Sequence, residues 1–135
     1  MPYEFLPHTA DLKVRARGTT VEAAFMESAM ALKEAISGGI GISSLERRRI
    51  RVEGHDRESL LYSFLEEIIY LLDAEEFVLA GVSDIRIGDG FLEAVLAGSP
   101  AAGYHFANSV KAVTYSEMMI RQDAGGWVIE FVLDV

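Results

Sequence analysis

A broad, helix-spaced set of apolar residues after Asp56 limits the fold of this chain more than any other sequence feature. Its members are Leu60, Leu61, Phe64, Leu65, Ile68, Leu71 and Leu72. Spacings of three and four residues place these side chains on one side of an α-helix that runs to about Asp73, with Asp56 as its N-cap. A helix with so wide an apolar face needs more than one neighbour to cover it. We therefore expect it to pack against both a β-sheet and another helix.

That other helix is predicted upstream, between Thr19 and Gly38. The sequence Thr19-Thr-Val-Glu22 is typical of a capping box, and Gly38-Gly39 is a natural helix end. Apolar and small residues follow it at helical spacing: Val21, Ala24, Phe25, Ser28, Ala29, Leu32 and Ile36. This stripe is expected to face the core.

The remaining segments have the pattern of β-strands. They are Tyr3–Leu6, Asp11–Arg17, Glu46–Glu53, Phe77–Ile87, Phe91–Ala97, Val110–Arg121 and Trp127–Leu133. Gly88-Asp89-Gly90 and Asp123-Ala-Gly-Gly126 predict two hairpins. A chain of 135 residues fits one domain. We expect residues 1–135 to form a single two-layer α+β domain, in which two helices pack on one face of a mainly antiparallel sheet.

Composition excludes several classes of protein. The chain has no cysteine, so thiolate chemistry, zinc ribbons and disulfide frameworks are excluded. The apolar segment from Leu60 to Leu72 contains Ser63, Glu66 and Glu67 and is too short and polar to cross a membrane. We expect a cytoplasmic protein without membrane contact.

The charge of −9 argues against general nucleic-acid binding, which needs a basic surface. Basic residues are nevertheless concentrated, because seven of the twelve Lys and Arg residues lie in two short segments, 13–17 and 47–51. They are either solvated outer faces of strands or a docking surface for an acidic partner or RNA.

Three places in the chain are candidates for chemistry. Asp134 and the carboxylate of Val135 follow the last strand directly and offer oxygen ligands of the kind that hard cations bind, although an Asp near a C-terminus is commonly just solvated. His8-Thr9-Ala10-Asp11 is either a ligand loop or a turn that caps a strand. Lys111 interrupts an apolar strand, and either faces solvent or pairs with an acid. The histidines share no zinc motif, and the chain lacks a nucleophile elbow, a Walker loop and a dinucleotide fingerprint.

Together these motifs make the chain resemble the archease family over nearly its whole length. The matching features are the aromatic first strand, the His8-Thr9-Ala10-Asp11 box, the Val110-Lys111-Ala112-Val113-Thr114-Tyr115 strand and the terminal Asp134-Val135. Further matches are Gly18, Glu22, Phe25, Asp56 and Leu60-Leu61. The chain departs from the family pattern at Ser116, where histidine is common, and in the weakly charged connection 98–108.

The resemblance implies a non-catalytic protein cofactor of the RNA-splicing ligase, which joins RNA ends in tRNA splicing and RNA repair. Such proteins promote guanylylation of the ligase by GTP and its multiple turnover, so RNA is involved only indirectly. The family fold is an α+β domain with an inserted strand-helix-strand-strand module. The implied metal ligands are Asp11, Asp134 and the carboxylate of Val135, holding a divalent ion such as Ca²⁺, with Mg²⁺ as an alternative. Lys111 and His8 would belong to the partner-binding surface, and no residue is expected to be catalytic.

Two other functions stay open at this point. One is a chaperone-like modulator of an RNA methyltransferase, a role also proposed for this family. The other is a metal-dependent hydrolase that uses the same carboxylates, for which His8 is the only candidate base.

Overall fold

The computed structural model describes residues 2–7, 11–106 and 110–135. Over these ranges the chain forms seven strands and two α-helices. The strands are β1 (Tyr3–Leu6), β2 (Leu12–Gly18), β3 (Glu46–Glu53), β4 (Phe77–Gly88), β5 (Phe91–Pro100), β6 (Ala112–Asp123) and β7 (Gly126–Asp134). The helices are α1 (Val21–Ser37) and α2 (Arg57–Glu75), and a 3₁₀ turn covers Ala101–Gly103. Neither α-helix of the described chain is long and apolar enough to cross a membrane.

The strands are divided between two antiparallel sheets. The first has the order β1-β2-β7-β6, and the second has the order β3-β5-β4. The second sheet comes entirely from residues 46–100, and together with α2 it forms a strand-helix-strand-strand unit inserted into the chain of the first sheet. The expected α+β class, with two helices and antiparallel strands, is confirmed. Its strands form two sheets because β3 and β4 both pair with β5 and with no strand of the first sheet.

The first helix begins one residue later than its capping pattern predicted. Thr20 is the N-cap, and its hydroxyl accepts a hydrogen bond from the Ala23 backbone N–H at 3.0 Å. The predicted box between Thr19 and Glu22 is therefore wrong. Gly18 must lie very close to this helix, because a Cβ added there would be 2.4 Å from the backbone N of Ala24. The helix ends at Gly38, which has a φ of 62°.

The second helix begins as the sequence predicts. Asp56 is the N-cap, its carboxylate accepts from the Ser59 N–H at 2.7 Å, and the Asp56 N–H donates back to the Ser59 hydroxyl at 3.1 Å. α2 contacts α1, β6 and all three strands of the second sheet. The expected double packing against a sheet and a helix is thus confirmed, and it places α2 between the two sheets.

The core lies around the two helices and is shared by both sheets. Phe25 of α1 and Phe64 of α2 are fully buried, and their ring centroids are 6.3 Å apart. Among the described residues, the other large, fully buried side chains are Phe77, Phe131, Leu32, Leu61, Leu65, Leu92, Leu96, Ile129, Leu133 and Val14. Both sheets therefore depend on the same core.

Both hairpins occur where their turn residues predict them. Asp89-Gly90 connects β4 to β5, and Gly90 has a φ of 78°, a conformation that suits glycine. Ala124-Gly125 connects β6 to β7. The β6–β7 pair is irregular in the middle: Thr114 lies opposite Val132, whereas Met119 lies opposite Glu130. Residues 115–118 therefore form a bulge opposite a single residue of β7.

Candidate functional site

Strand register brings the two candidate aspartates to one end of the first sheet. Leu12 of β2 lies opposite Leu133 of β7, and the strands are antiparallel. Asp11 directly precedes β2 and Asp134 is the last residue of β7, so both lie at this end of the sheet. Both are half-buried. We call Asp11, Asp134 and the Val135 carboxylate the acidic tip.

Lys111 lies at the same end, on the third strand of this group. Ala112 of β6 is opposite Asp134, so Lys111 and Val135 are the next residues on their strands. The Lys111 backbone N–H donates to the Asp134 carbonyl oxygen at 2.8 Å, which continues the β6–β7 ladder past its last pair. The Lys111 side chain is exposed, and Val135 is 39% exposed. A lysine ammonium is therefore available next to the acidic tip.

The donor groups of the acidic tip suit a hard divalent cation. Within residues 2–7, 11–106 and 110–135, no three His, Asp or Glu side chains form a metal-binding group. The expected ligand set contains only two such side chains, because its third member is a main-chain carboxylate. Its oxygen donors are the kind that Ca²⁺ and Mg²⁺ bind, whereas zinc favours nitrogen and sulfur. The residues present thus fit the predicted ion in chemistry.

Glu66 of α2 connects the tip strand β6 to the helix layer, and the sequence did not single it out for this role. Its carboxylate accepts a hydrogen bond from the Val113 backbone N–H at 2.8 Å. β6 is the edge strand of its sheet, and Val113 is 2% exposed. In the sequence, Glu66 is notable only as a carboxylate within the most apolar predicted helix. That position argued against a membrane span but did not indicate a contact with β6.

The other expected residues of the region are distributed as follows. Ser116 is exposed and lies in the β6 bulge, with its carbonyl oxygen 3.3 Å from the Thr114 hydroxyl. His8, together with Thr9 and Ala10 of its box, lies outside the described residues. Its expected place on the partner-binding surface stays a prediction.

The first basic segment is neutralised by carboxylates on the outer face of the first sheet. Arg15 pairs with Glu130 at 2.7 Å, and its guanidinium also lies 3.3 Å from Glu4. These contacts, the hydrogen bond to Glu130 first, raise the pKa of Arg15. Lys13 pairs with Glu117 at 3.2 Å, and Arg17 lies 3.8 Å from Asp123. This segment therefore fits the outer face of a strand better than a docking surface.

The second basic segment is only partly neutralised. Arg48 pairs with Glu75, and Arg51 lies 3.3 Å from Glu93. Arg47 and Arg49 are exposed and form no ion pair with the described part of the chain. Both lie on β3 of the second sheet, whereas the acidic tip is at one end of the first.

The chain is similar to archeases by sequence and by structure. Residues 3–135 match the model of the "Archease protein family (MTH1598/TM1083)". The protein archease of Pyrococcus furiosus is 38% identical over 144 residues, covering 98% of this chain and 98% of that protein. The protein archease of Methanosarcina mazei is 34% identical over 139 residues, covering 98% of this chain and 95% of the relative. None of these names describes an enzyme.

Two solved structures share the fold. The solution structure of Methanobacterium thermoautotrophicum protein 1598 superposes with a TM-score of 0.82 at 28% identity, covering 99% of both chains. The crystal structure of a Thermotoga maritima protein, described as "an archease, possible chaperone", has a TM-score of 0.68 at 18% identity. It covers 96% of this chain and 94% of its own, and at this identity it shows the fold alone.

Proposed function

The chain belongs to the archease family, and on that premise we propose that it is a non-catalytic protein cofactor of the RNA-splicing ligase. In this role it promotes guanylylation of the ligase by GTP and allows multiple turnover during tRNA splicing and RNA repair. The acidic tip is the part that acts on the ligase. RNA is a substrate of the partner and contacts this protein only indirectly.

The strand register around Asp134 is the observation that carries this proposal. β2 and β6 begin where β7 ends, so Asp11, Asp134 and Lys111 lie at one end of the sheet. Two half-buried carboxylates in one place repel each other unless a cation lies between them. Their strands are held by paired neighbours on either side, so the groups are presented in a fixed arrangement rather than on a free tail.

We propose that Asp11, Asp134 and the Val135 carboxylate hold a divalent ion, with Ca²⁺ favoured over Mg²⁺. Such an ion supplies positive charge that neutralises the carboxylates and can orient phosphate oxygens. The chain itself contributes the fixed carboxylates and the Lys111 ammonium beside them. Lys111 and His8 are proposed to contact the partner. Calorimetric titration with Ca²⁺ should detect a site that Asp11→Asn removes, and equal heats for the variant would contradict this assignment.

Activation without catalysis requires that the protein bind one state of the ligase more tightly than another. A ligand shifts an equilibrium only by its differential affinity for the two states. The proposed favoured state is the one competent for guanylylation. The acidic tip is suited to enter a partner cleft, because Asp134 is the last residue of β7 and Asp11 directly precedes β2, so the sheet sets where both carboxylates lie.

A multiple-turnover ligation assay tests this function. RNA ends in excess over the ligase, with GTP present, should be joined for many cycles with this protein and for about one cycle without it. Asp11→Ala should fold normally and fail to support turnover. Retention of a methyltransferase but not the ligase in a pull-down would favour the modulator function instead. Phosphoester hydrolysis by the isolated protein, lost in Asp11→Ala, would favour the hydrolase.

A C-terminal extension tests the main-chain ligand separately. Residues added after Val135 convert its carboxylate into an amide and remove one proposed oxygen anion. Activation of the ligase should therefore fall strongly, while the unfolding temperature changes little. An N-terminal extension of the same length is the matched control. Full activation by the C-terminally extended protein would remove Val135 from the ligand set.

A further inference from the structure

The exposed side of α2 forms an aromatic and acidic groove outside the acidic tip. We call it the α2 groove. It has a volume of about 460 Å³ and lies between α2 and the edge strand β3. Its lining residues are Val52, Glu53, Tyr62, Ser63, Glu66, Glu67 and Tyr70. Tyr70 is 54% exposed. Tyr62 is half-buried. Tyrosines at the surface are a feature of protein-binding sites, where Tyr is among the residues that contribute most affinity.

The bulge in β6 adds a third tyrosine beside this groove. Tyr115, which is 47% exposed, begins the bulge, and its ring centroid lies 5.1 Å from that of Tyr62. Glu117 in the same bulge has a φ of 63°, a costly conformation for a residue other than glycine. The Lys13 ammonium forms an ion pair with the Glu117 carboxylate, with 3.2 Å between Nζ and Oε1. Bulges commonly change the direction of a side chain near a functional site, and in this bulge the Tyr115 ring contacts Tyr62 of α2.

Two contacts show that the α2 groove leads towards the acidic tip. Tyr115 meets Tyr62, and Val113 bonds to Glu66. Two residues along a strand cover roughly 7 Å, and four residues along a helix cover about 6 Å, so β6 and α2 run side by side in opposite directions. The same step continued along both elements leads to Lys111 and Tyr70, so the Tyr70 end of the groove is the end nearer the acidic tip. A partner that covers the acidic tip would therefore reach the Tyr70 end of the groove before the Tyr62 end.

The charge of the α2 groove favours a cationic partner. Glu66 and Glu67 line it, and no basic residue lies in the last turn of α2, where the helix dipole is negative. Desolvation, and then the charge of Glu75, raise the pKa of Glu67. Within the described ranges no Lys or Arg pairs with Glu67. An incoming ammonium or guanidinium would compensate this carboxylate and could also stack on Tyr70.

We propose that the α2 groove docks an arginine- or lysine-bearing segment of the ligase, next to the acidic tip. This inference rests on the function proposed above and divides it between two surfaces. The groove provides affinity, and the tip provides activation. The negative charge of the groove disfavours the phosphate backbone of RNA as its occupant.

Titration of ligase guanylylation tests this division. The docking variant combines Tyr70→Ser with Glu67→Gln, two substitutions on the solvent side of α2 that should preserve the unfolding temperature. It should raise the half-saturating concentration about tenfold, as expected for the loss of one interface anchor. The maximum stimulation at saturating concentration should be unchanged. Asp134→Ala should instead lower the maximum stimulation, even at saturating concentration. Raised salt should weaken the wild type more than the docking variant.

Direct binding to the ligase separates failure of this inference from failure of the proposed function. If the wild type binds the ligase without stimulating it, the function fails, and a weaker docking variant still supports the groove. A docking variant with wild-type affinity overturns the groove, as does one that loses the maximum stimulation. Arg47→Ala with Arg49→Ala, on the second sheet, is the matched control and should bind like wild type. An equal loss in this control would place docking elsewhere and overturn the proposal. Wild-type self-association that the docking variant abolishes would also overturn it.

Discussion

Replacing Glu66 with alanine should destabilise the protein by removing one hydrogen bond at the edge of the tip strand. The Val113 N–H donates to this carboxylate at 2.8 Å, and Val113 is 2% exposed, so water replaces the carboxylate poorly. A hydrogen bond to a charged group contributes about 1.5–3 kcal/mol. At ~2.1 cal/mol/K per residue, a chain of 135 residues has an unfolding entropy of about 0.28 kcal/mol/K, so the melting temperature should fall by about 5–11 °C.

Urea unfolding of three variants measures this contribution. Glu66→Ala should lower the free energy of unfolding by about 1.5–3 kcal/mol, the contribution of the whole hydrogen bond. Glu66→Gln should lower it by under about 1 kcal/mol, because the amide oxygen still accepts a neutral hydrogen bond. Glu67→Ala is the matched control on the adjacent helix position, and it should stay within about 0.5 kcal/mol of wild type. A Glu66→Ala protein as stable as the control would refute the role of Glu66 in holding β6.

Two further predictions concern the helices. Phe64→Ala should cost about 3–5 kcal/mol, because a fully buried ring beside Phe25 leaves a cavity, and calorimetry should detect the loss. Asp56→Ala should destabilise α2 at neutral pH. The backbone N–H of Ser59 holds the pKa of Asp56 below its usual 3.8, so the charge-dependent part of the wild-type advantage is present above about pH 4 and is lost as the pH falls through the folded-state pKa. Asp56→Asn should keep the cap without this pH dependence, and a wild-type advantage that does not change as the pH is lowered would contradict the assignment.

Local signals predicted much of this fold. Asp56 before an apolar stripe gave the start of α2, and Asp89-Gly90 gave a hairpin, because each conformation depends on a few adjacent residues. The breadth of the α2 stripe predicted its double packing. The register that unites Asp11 with Asp134 followed only through the family resemblance, since nothing local relates two residues at opposite ends of a chain.

Features that depend on distant contacts were not predictable. Residues 110–121 have the pattern of a continuous strand, but a bulge at 115–118 interrupts its pairing with β7. The ion pair between Lys13 and Glu117 and the ring contact between Tyr115 and Tyr62 accompany that bulge, and both join residues far apart in sequence. The sequence also did not show that Thr20 rather than Thr19 is the N-cap, because two adjacent threonines are equally suited to that position by residue type.

The most direct test of the central claim is the rate of ligase guanylylation with GTP, measured with no added protein, with the wild type, and with Asp134→Ala. Saturating concentrations and matched circular dichroism spectra ensure that the comparison concerns the acidic tip rather than folding or affinity. We predict strong stimulation by the wild type and none by Asp134→Ala. Equal stimulation by both proteins would contradict the role of the tip, and no stimulation by the wild type of an active ligase would contradict the proposed function itself.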